Sequence, residues 1–179
     1  MQQVEAGSSV PAAEAVTGRT RWFPRIITLA LVILVVDQLT KLWATSALSD
    51  GGSIPVLGDL LSLRLLYNPG AAFSIGTGVT WIFTIIAAVA VAAITRAAWK
   101  VRTGAWALAL GLVLGGATTH LLDRLFRQPG FARGHVVDFI DYAGFFVGNV
   151  ADLSLVVGGG LIVALYLRGV DLDGRRGDG

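Results

Sequence analysis

Four apolar runs, each long enough to cross a bilayer as a helix, decide what this chain can fold into. They occupy residues 26–43, 80–99, 105–122 and 149–167. The first covers about 18 residues and reaches roughly 27 Å as a helix, close to hydrocarbon thickness. Only 15% of the 179 residues are charged, against about 25% in soluble domains. The expected fold is a mainly α membrane protein of four transmembrane helices.

The flanks of the runs fit that reading. Trp22 and Trp43, Trp81 and Trp99, and Trp106 stand near the proposed boundaries, where aromatic rings form interfacial belts. With the N-terminus inside, the inner segments hold Arg19, Arg21, Arg25, Arg96, Lys100, Arg102, Arg168, Arg175 and Arg176, and the outer loops hold Arg64, Arg124, Arg127 and Arg133. Nine basic residues against four place both termini in the cytoplasm. The first run also has a basic flank and a small-residue stretch, Ala44-Thr45-Ser46-Ala47, as a cleaved signal peptide would. Asp37 and Lys41, lying between its core and that stretch, argue against cleavage. Residues 1–18 read as a disordered cytoplasmic tail, 19–168 as the membrane domain and 169–179 as a second cytoplasmic tail.

A net charge of +2 is too small, and its cations too scattered, to suggest nucleic acid. With no cysteine, disulfides, thiolate nucleophiles and cysteine-held metals are excluded. The outer loops, 44–79 and 123–148, are long, which in a compact protein points to function. Ile54-Pro55-Val56-Leu57 and Leu61-Ser62-Leu63-Arg64-Leu65-Leu66-Tyr67 are strand-like and bounded by turn residues. They predict a small β-rich extracytoplasmic platform between helices 1 and 2.

Chemistry concentrates in 134–152, which holds three of the twelve acids. Asp138 and Asp152 are each embedded in apolar sequence, where an ionised carboxylate is costly and marks a functional site by default. Asp141 is expected to face water. An acid in the first turn of a helix is ordinarily a dipole partner, so neither residue alone would be notable. Two carboxylates brought together at low dielectric share a proton. One can then activate water while the other polarises a carbonyl. Asp37 and Lys41, four apart, share a helix face as a neutralising ion pair or as a site for a polar head group. Asn68-Pro69-Gly70 reads as a turn, or as a donor of hydrogen bonds to a substrate main chain. Gly115-Gly116 permits close helix packing. Asp123 with Arg124 reads as a structural charge pair or, less readily, as part of the chemistry. His120 and the acids match no metal-ligand spacing.

Taken together, Asp37-Gln38-Leu39-Thr40-Lys41, Asn68-Pro69-Gly70-Ala71-Ala72-Phe73, Gly115-Gly116 through Asp123-Arg124, Val136-Val137-Asp138-Phe139-Ile140 and Asn149-Val150-Ala151-Asp152 resemble the lipoprotein signal peptidases (signal peptidase II), membrane aspartyl proteases of bacteria. The resemblance spans roughly 26–168 with all motifs in order. It implies removal of signal peptides from diacylglyceryl-modified prolipoproteins, with a cut before the lipid-bearing cysteine and no metal or cofactor. The implied catalytic pair is Asp138 and Asp152, supported by Asp37, Lys41, Asn68, Gly70, His120, Asp123, Arg124 and Asn149. The implied partners are lipid-modified prolipoproteins and membrane lipids, the enzyme is expected as a monomer in the bacterial inner membrane, and the site is expected near the outer leaflet. The family usually carries Asn three residues before the Asp-Arg pair; here His120 stands there, preceded by Thr119 where Gly is common. A transporter would want ionisable groups near the midplane, and an assembly scaffold would use its glycines for packing. The one-sided clustering of acids disfavours the first, and Asp→Asn loss of function at both acids would separate an enzyme from the second.

Overall fold

The computed structural model describes residues 22–70 and 79–174. The described residues form four helices: α1 (Phe23–Ala47), α2 (Thr80–Ala98), α3 (Gly104–Phe126) and α4 (Val150–Leu167). All four are long and apolar enough to span a bilayer, where a helix satisfies its own backbone groups. Pro24 opens α1 in the first turn, where its missing N–H costs nothing. The Thr103 hydroxyl caps α3 by accepting from Trp106 N at 3.4 Å.

α3 is the central helix. α1, α2 and α4 each pack on it, and the apolar core runs through Ile26 and Ala30 of α1, Ala109, Leu110 and Leu114 of α3, and Leu165 of α4. Glycines permit this closeness, as the sequence suggested. A Cβ on Gly115 would lie 2.7 Å from Ile33 Cβ and 3.1 Å from Ala30 O. One on Gly116 would lie 2.9 Å from Ala151 O, and one on Gly158 3.0 Å from Ala109 O. Interior and surface are inverted in α1: Leu31, Val32, Val35, Leu39 and Leu42 point outward to the hydrocarbon, while Asp37 and Lys41 are fully buried.

The platform is an antiparallel sheet in the order β1 (Ser53–Leu57), β2 (Leu61–Asn68), β3 (Val136–Tyr142), β4 (Phe146–Gly148). β1 and β2 lie between the first two helices, as expected, and β3 and β4 extend the sheet from the second outer loop. Because β2 pairs with β3, with Leu66 opposite Asp138 and Asn68 opposite Val136, the two long loops lie at the same end of the bundle. β3 is largely buried and β1 wholly exposed.

Two local expectations are corrected. Asp141 does not face water: it is buried, with Oδ2 3.0 Å from Arg64 Nε and Oδ1 accepting Gly144 N at 2.8 Å. Burial along β3 does not alternate, so side chains on both of its faces are covered. Trp106 is not a belt residue. It is buried, and its Nε1 donates to Val170 O at 2.9 Å, fastening the segment after α4 to the start of α3. Trp43, Trp81 and Trp99 stay about half exposed, as belt residues do.

Candidate active site

The strand-to-helix junction at the end of β4 builds the centre. Asn149 caps α4: its Oδ1 accepts Asp152 N at 3.1 Å, and Asp152 Oδ2 accepts Asn149 N at 2.9 Å. This reciprocal box satisfies two of the orphan donors at the helix start and fixes the Asp152 carboxyl at the mouth of α4. The amide nitrogen of Asn149 reaches the other way, donating to Asp138 Oδ1 at 2.6 Å and to Val137 O at 3.2 Å. One side chain thus ties the two acids together. Asn68 Nδ2 donates to the remaining oxygen, Asp138 Oδ2, at 3.0 Å, while its own Oδ1 accepts Gly70 N at 3.0 Å as the Asn-Pro-Gly turn suggests. Asn68 is therefore engaged with Asp138 and with its own turn, and it also lines the cavity described below.

Asp138 is 2% exposed. Burial, followed by the neighbouring charge of Asp152, pushes its carboxyl up to about 6, against the lowering pull of its Asn68 and Asn149 hydrogen bonds and of His120. Asp152 is more open, and its Oδ1 lies 3.1 Å from His120 Nε2.

Both acids line one cavity of about 340 Å³. Its polar end holds Asn68, Gly70, His120, Arg124, Asp138 and Asp152, and its long wall is hydrocarbon: Phe83, Ile86, Ala87, Ala90 and Ile94 from α2, Val113 and Ala117 from α3, Leu155 from α4.

Behind the acids lies a buried charged cluster. Lys41 Nζ is 2.6 Å from Asp37 Oδ2 and 2.7 Å from Asp123 Oδ2. Arg127 Nε is 2.7 Å from Asp123 Oδ1, and Gln38 bridges Asp123, Thr119 and Arg127. The Thr119 hydroxyl donates to Asp37, and Asp37 Oδ1 accepts Ala151 N at 2.9 Å. Two acids and two bases cancel, so the cluster is neutral as a whole. The Asp37–Lys41 ion pair is thus formed, with both side chains buried.

The pairing of Asp123 with Arg124 is corrected. Neighbours on a helix point to different faces, so Asp123 turns to Lys41 and Arg127. Arg124 turns to the carbonyls of Pro69, Gly70 and Gly134, with its guanidinium over the Phe83 ring at 5.3 Å. Arg124 clips the turn before α2 to the loop before β3. Gln38, Arg127 and Gly134 carry this architecture with no role read for them in the sequence, and Thr119, noted there only as a departure from the family pattern, carries it with them. Arg127 was visible only as the residue four after Asp123, which needs α3 to run past residue 122, as it does. Residues 71–73 of the Asn-Pro-Gly motif lie outside the described residues. Among the described residues no three His, Asp or Glu side chains cluster as metal ligands.

The family model described as Signal peptidase (SPase) II matches residues 29–168. A lipoprotein signal peptidase of Leifsonia xyli subsp. xyli is 46% identical over 173 residues, covering 94% of this chain and 80% of the relative. One of Rhodococcus jostii is 44% identical over 96% of this chain and 84% of its own length, and one of Mycobacterium tuberculosis is 42% identical over 95% and 84%. A bacterial membrane enzyme solved by the in meso method at 2.3 Å resolution superposes with a TM-score of 0.71 at 30% identity, over 79% of this chain and 87% of that one. With the family model matching residues 29–168 and relatives above 40% identity along most of the sequence, the chain belongs to the signal peptidase II family, and it is a multi-pass membrane peptidase.

Proposed function

We propose that this peptidase removes the signal peptide from diacylglyceryl-modified prolipoproteins by an aspartyl mechanism, cutting before the lipid-bearing cysteine. The observation that carries the reading is the cavity: two carboxyls joined through Asn149 stand at its polar end, and an apolar wall runs away from them along α2. Such a wall suits acyl chains or an apolar signal segment, which reach the site by diffusing in the bilayer.

In the proposed reaction Asp138, with its raised proton affinity, holds the shared proton, and Asp152 is the ionised partner. Asp152 takes a proton from a water lying between the carboxyls, and the hydroxide attacks the scissile carbonyl carbon. Asp138 passes its proton to the carbonyl oxygen, giving a neutral gem-diol. Collapse of the diol breaks the C–N bond as the amine takes the proton from Asp152, and the proton left by the diol restores Asp138. The extended cleavage-site backbone lies along β4, the edge strand beside the cavity. The excess of basic residues on the α2–α3 side supports termini in the cytoplasm and a sheet at the outer leaflet. The enzyme acts as a monomer.

The test is cleavage of a diacylglyceryl-modified prolipoprotein by purified Asp138→Asn, Asp152→Asn and Asp123→Asn proteins, each checked for fold. The first two drop to background and the third keeps partial activity. Cleavage by Asp138→Asn at the normal rate, with Asp123→Asn dead, overturns the assignment.

A further inference from the structure

The two-carboxylate reaction has no use for an imidazole, yet His120 Nε2 lies 3.1 Å from Asp152 Oδ1, inside the cavity. The other contacts of the pair are fixed in charge. Asp138 receives amide N–H bonds on both oxygens, and Asp152 Oδ2 receives the Asn149 backbone N–H. An amide donor is the same at every working pH. An imidazole changes charge within the physiological range.

The other charges facing His120 are few. Asp152 approaches from α4 and Asp138 from β3. Arg124 lies one turn along α3 and lines the same cavity, its charge constant and its guanidinium engaged with three carbonyls and Phe83. Tyr142 on β3 senses Asp152, which, after burial, raises its phenol. Behind α3, Asp37 and Lys41 of α1 with Asp123 and Arg127 form the neutral cluster. The α2 wall is apolar among the described residues lining the cavity. His120 is therefore the cation whose appearance the pair feels at close range.

We infer that His120 is a positioning residue for the hydrolysis: its imidazolium holds Asp152 ionised and turned into the cavity, and so sets the acid edge of the enzyme's working range. The inference rests on the two-aspartate reading. The sign follows from the charges. The pair is inactive when doubly protonated, and a positive charge beside Asp152 opposes the second proton. With the imidazolium in place the pair stays singly protonated to lower pH. Without it the second proton binds sooner, and the acid limb moves up.

The test is the pH profile of kcat and kcat/KM for wild type and His120→Gln on the same lipidated substrate. Gln keeps a donor at similar reach and loses the titratable charge. The expected result is an acid limb displaced upward by about one pH unit, with the effect in kcat and not in KM. His120→Asn carries the same measurement should the Gln protein fail to fold. A role in packing alone would lower the rate evenly across pH, so an acid limb superimposed on the wild type overturns the inference. Asp152→Asn in the same assay separates the two claims. If it still cuts, the two-aspartate reading fails; if it is dead and the limb does not move, only the role of His120 fails.

Discussion

The Asp37 carboxylate on the first helix accepts the backbone N–H of Ala151 at 2.9 Å, one residue before Asp152 on the last. A charge buried between helices thus acts as a distant cap on the helix that carries a candidate catalytic group. Its partner Lys41 is held equally by Asp123 of the third helix. The cluster fixes α1, α3 and α4 relative to one another at the depth of the acids.

Replacing the cation should therefore cost far more than replacing a surface lysine. Lys41→Met leaves Asp37 and Asp123 facing each other, with Arg127 alone to offset them. Removing one partner of a buried ion pair typically costs about 3–5 kcal/mol. Thermal unfolding in detergent should show a drop of many degrees for Lys41→Met, and nearly none for Lys100→Met, whose side chain is exposed.

Gly134 is predicted to be irreplaceable on steric grounds. A Cβ there would lie 2.1 Å from Asp123 O, 2.9 Å from Arg127 O and 3.0 Å from Arg124 O, all backbone atoms at the end of α3. Gly134→Ala should cost about 3 kcal/mol or more, at or above the upper range for overpacking. Gly130→Ala, with nothing within 4 Å of the new atom, should stay within about 0.5 kcal/mol of wild type. Melting temperatures of the two proteins decide it.

The raised proton affinity of Asp138 predicts a pH-dependent stability difference. The folded chain holds this proton up to about 6, against an ordinary carboxyl value of 3.8. Between those two pH values the folded state binds more protons than the unfolded, so the stability due to this group falls as pH rises through the window and is flat beyond it. The span is on the order of 3 kcal/mol. Asn at this position does not titrate. The melting temperature of wild type minus that of Asp138→Asn should fall between pH 4 and pH 7, and a constant difference would contradict the raised affinity.

Asn149 joins the acids through one amide, so its loss should strike rate harder than stability. Asn149→Ala removes a helix cap worth about 1 kcal/mol and frees the Asp138 carboxyl from its 2.6 Å amide bond, while the Asp152 carboxyl keeps the backbone N–H of residue 149. Misplacement of reacting groups by about 1 Å can cost 10²-fold. Steady-state kinetics should show kcat reduced by roughly that factor with KM little changed.

Much of this was legible in sequence, for physical reasons that also mark where legibility stopped. Four apolar runs identify four helices because a bilayer tolerates little else, and Asp138 and Asp152 stand out because charge in such surroundings is costly. The capping box of Asn149 and Asp152 is local and can be read from spacing. What could not be read depends on which strand meets which. Asp141 belonged to an inner strand only because β2, some 70 residues earlier, pairs with β3. Asp123 and Arg124 look like a pair in sequence, but adjacent helical positions diverge, and their partners lie on α1 and in the loops flanking Gly70 and Gly134. Trp106 sits at a helix end like the belt residues, yet it is turned inward by a carbonyl at Val170.

The reach of Asp37 from the first helix to the last also bears on when, during synthesis, the site comes into being. A ribosome that has delivered α1, α2 and α3 into the membrane has supplied Asp37, Lys41 and Asp123, but neither carboxyl of the cavity. β3 brings Asp138 without its Asn149 tether. Asp152 arrives with the final helix, which is seated against α1 when Ala151 docks on the residue made more than a hundred positions earlier. Every nascent or truncated form short of α4 therefore lacks the candidate centre, and proteolytic competence is the last property the chain acquires.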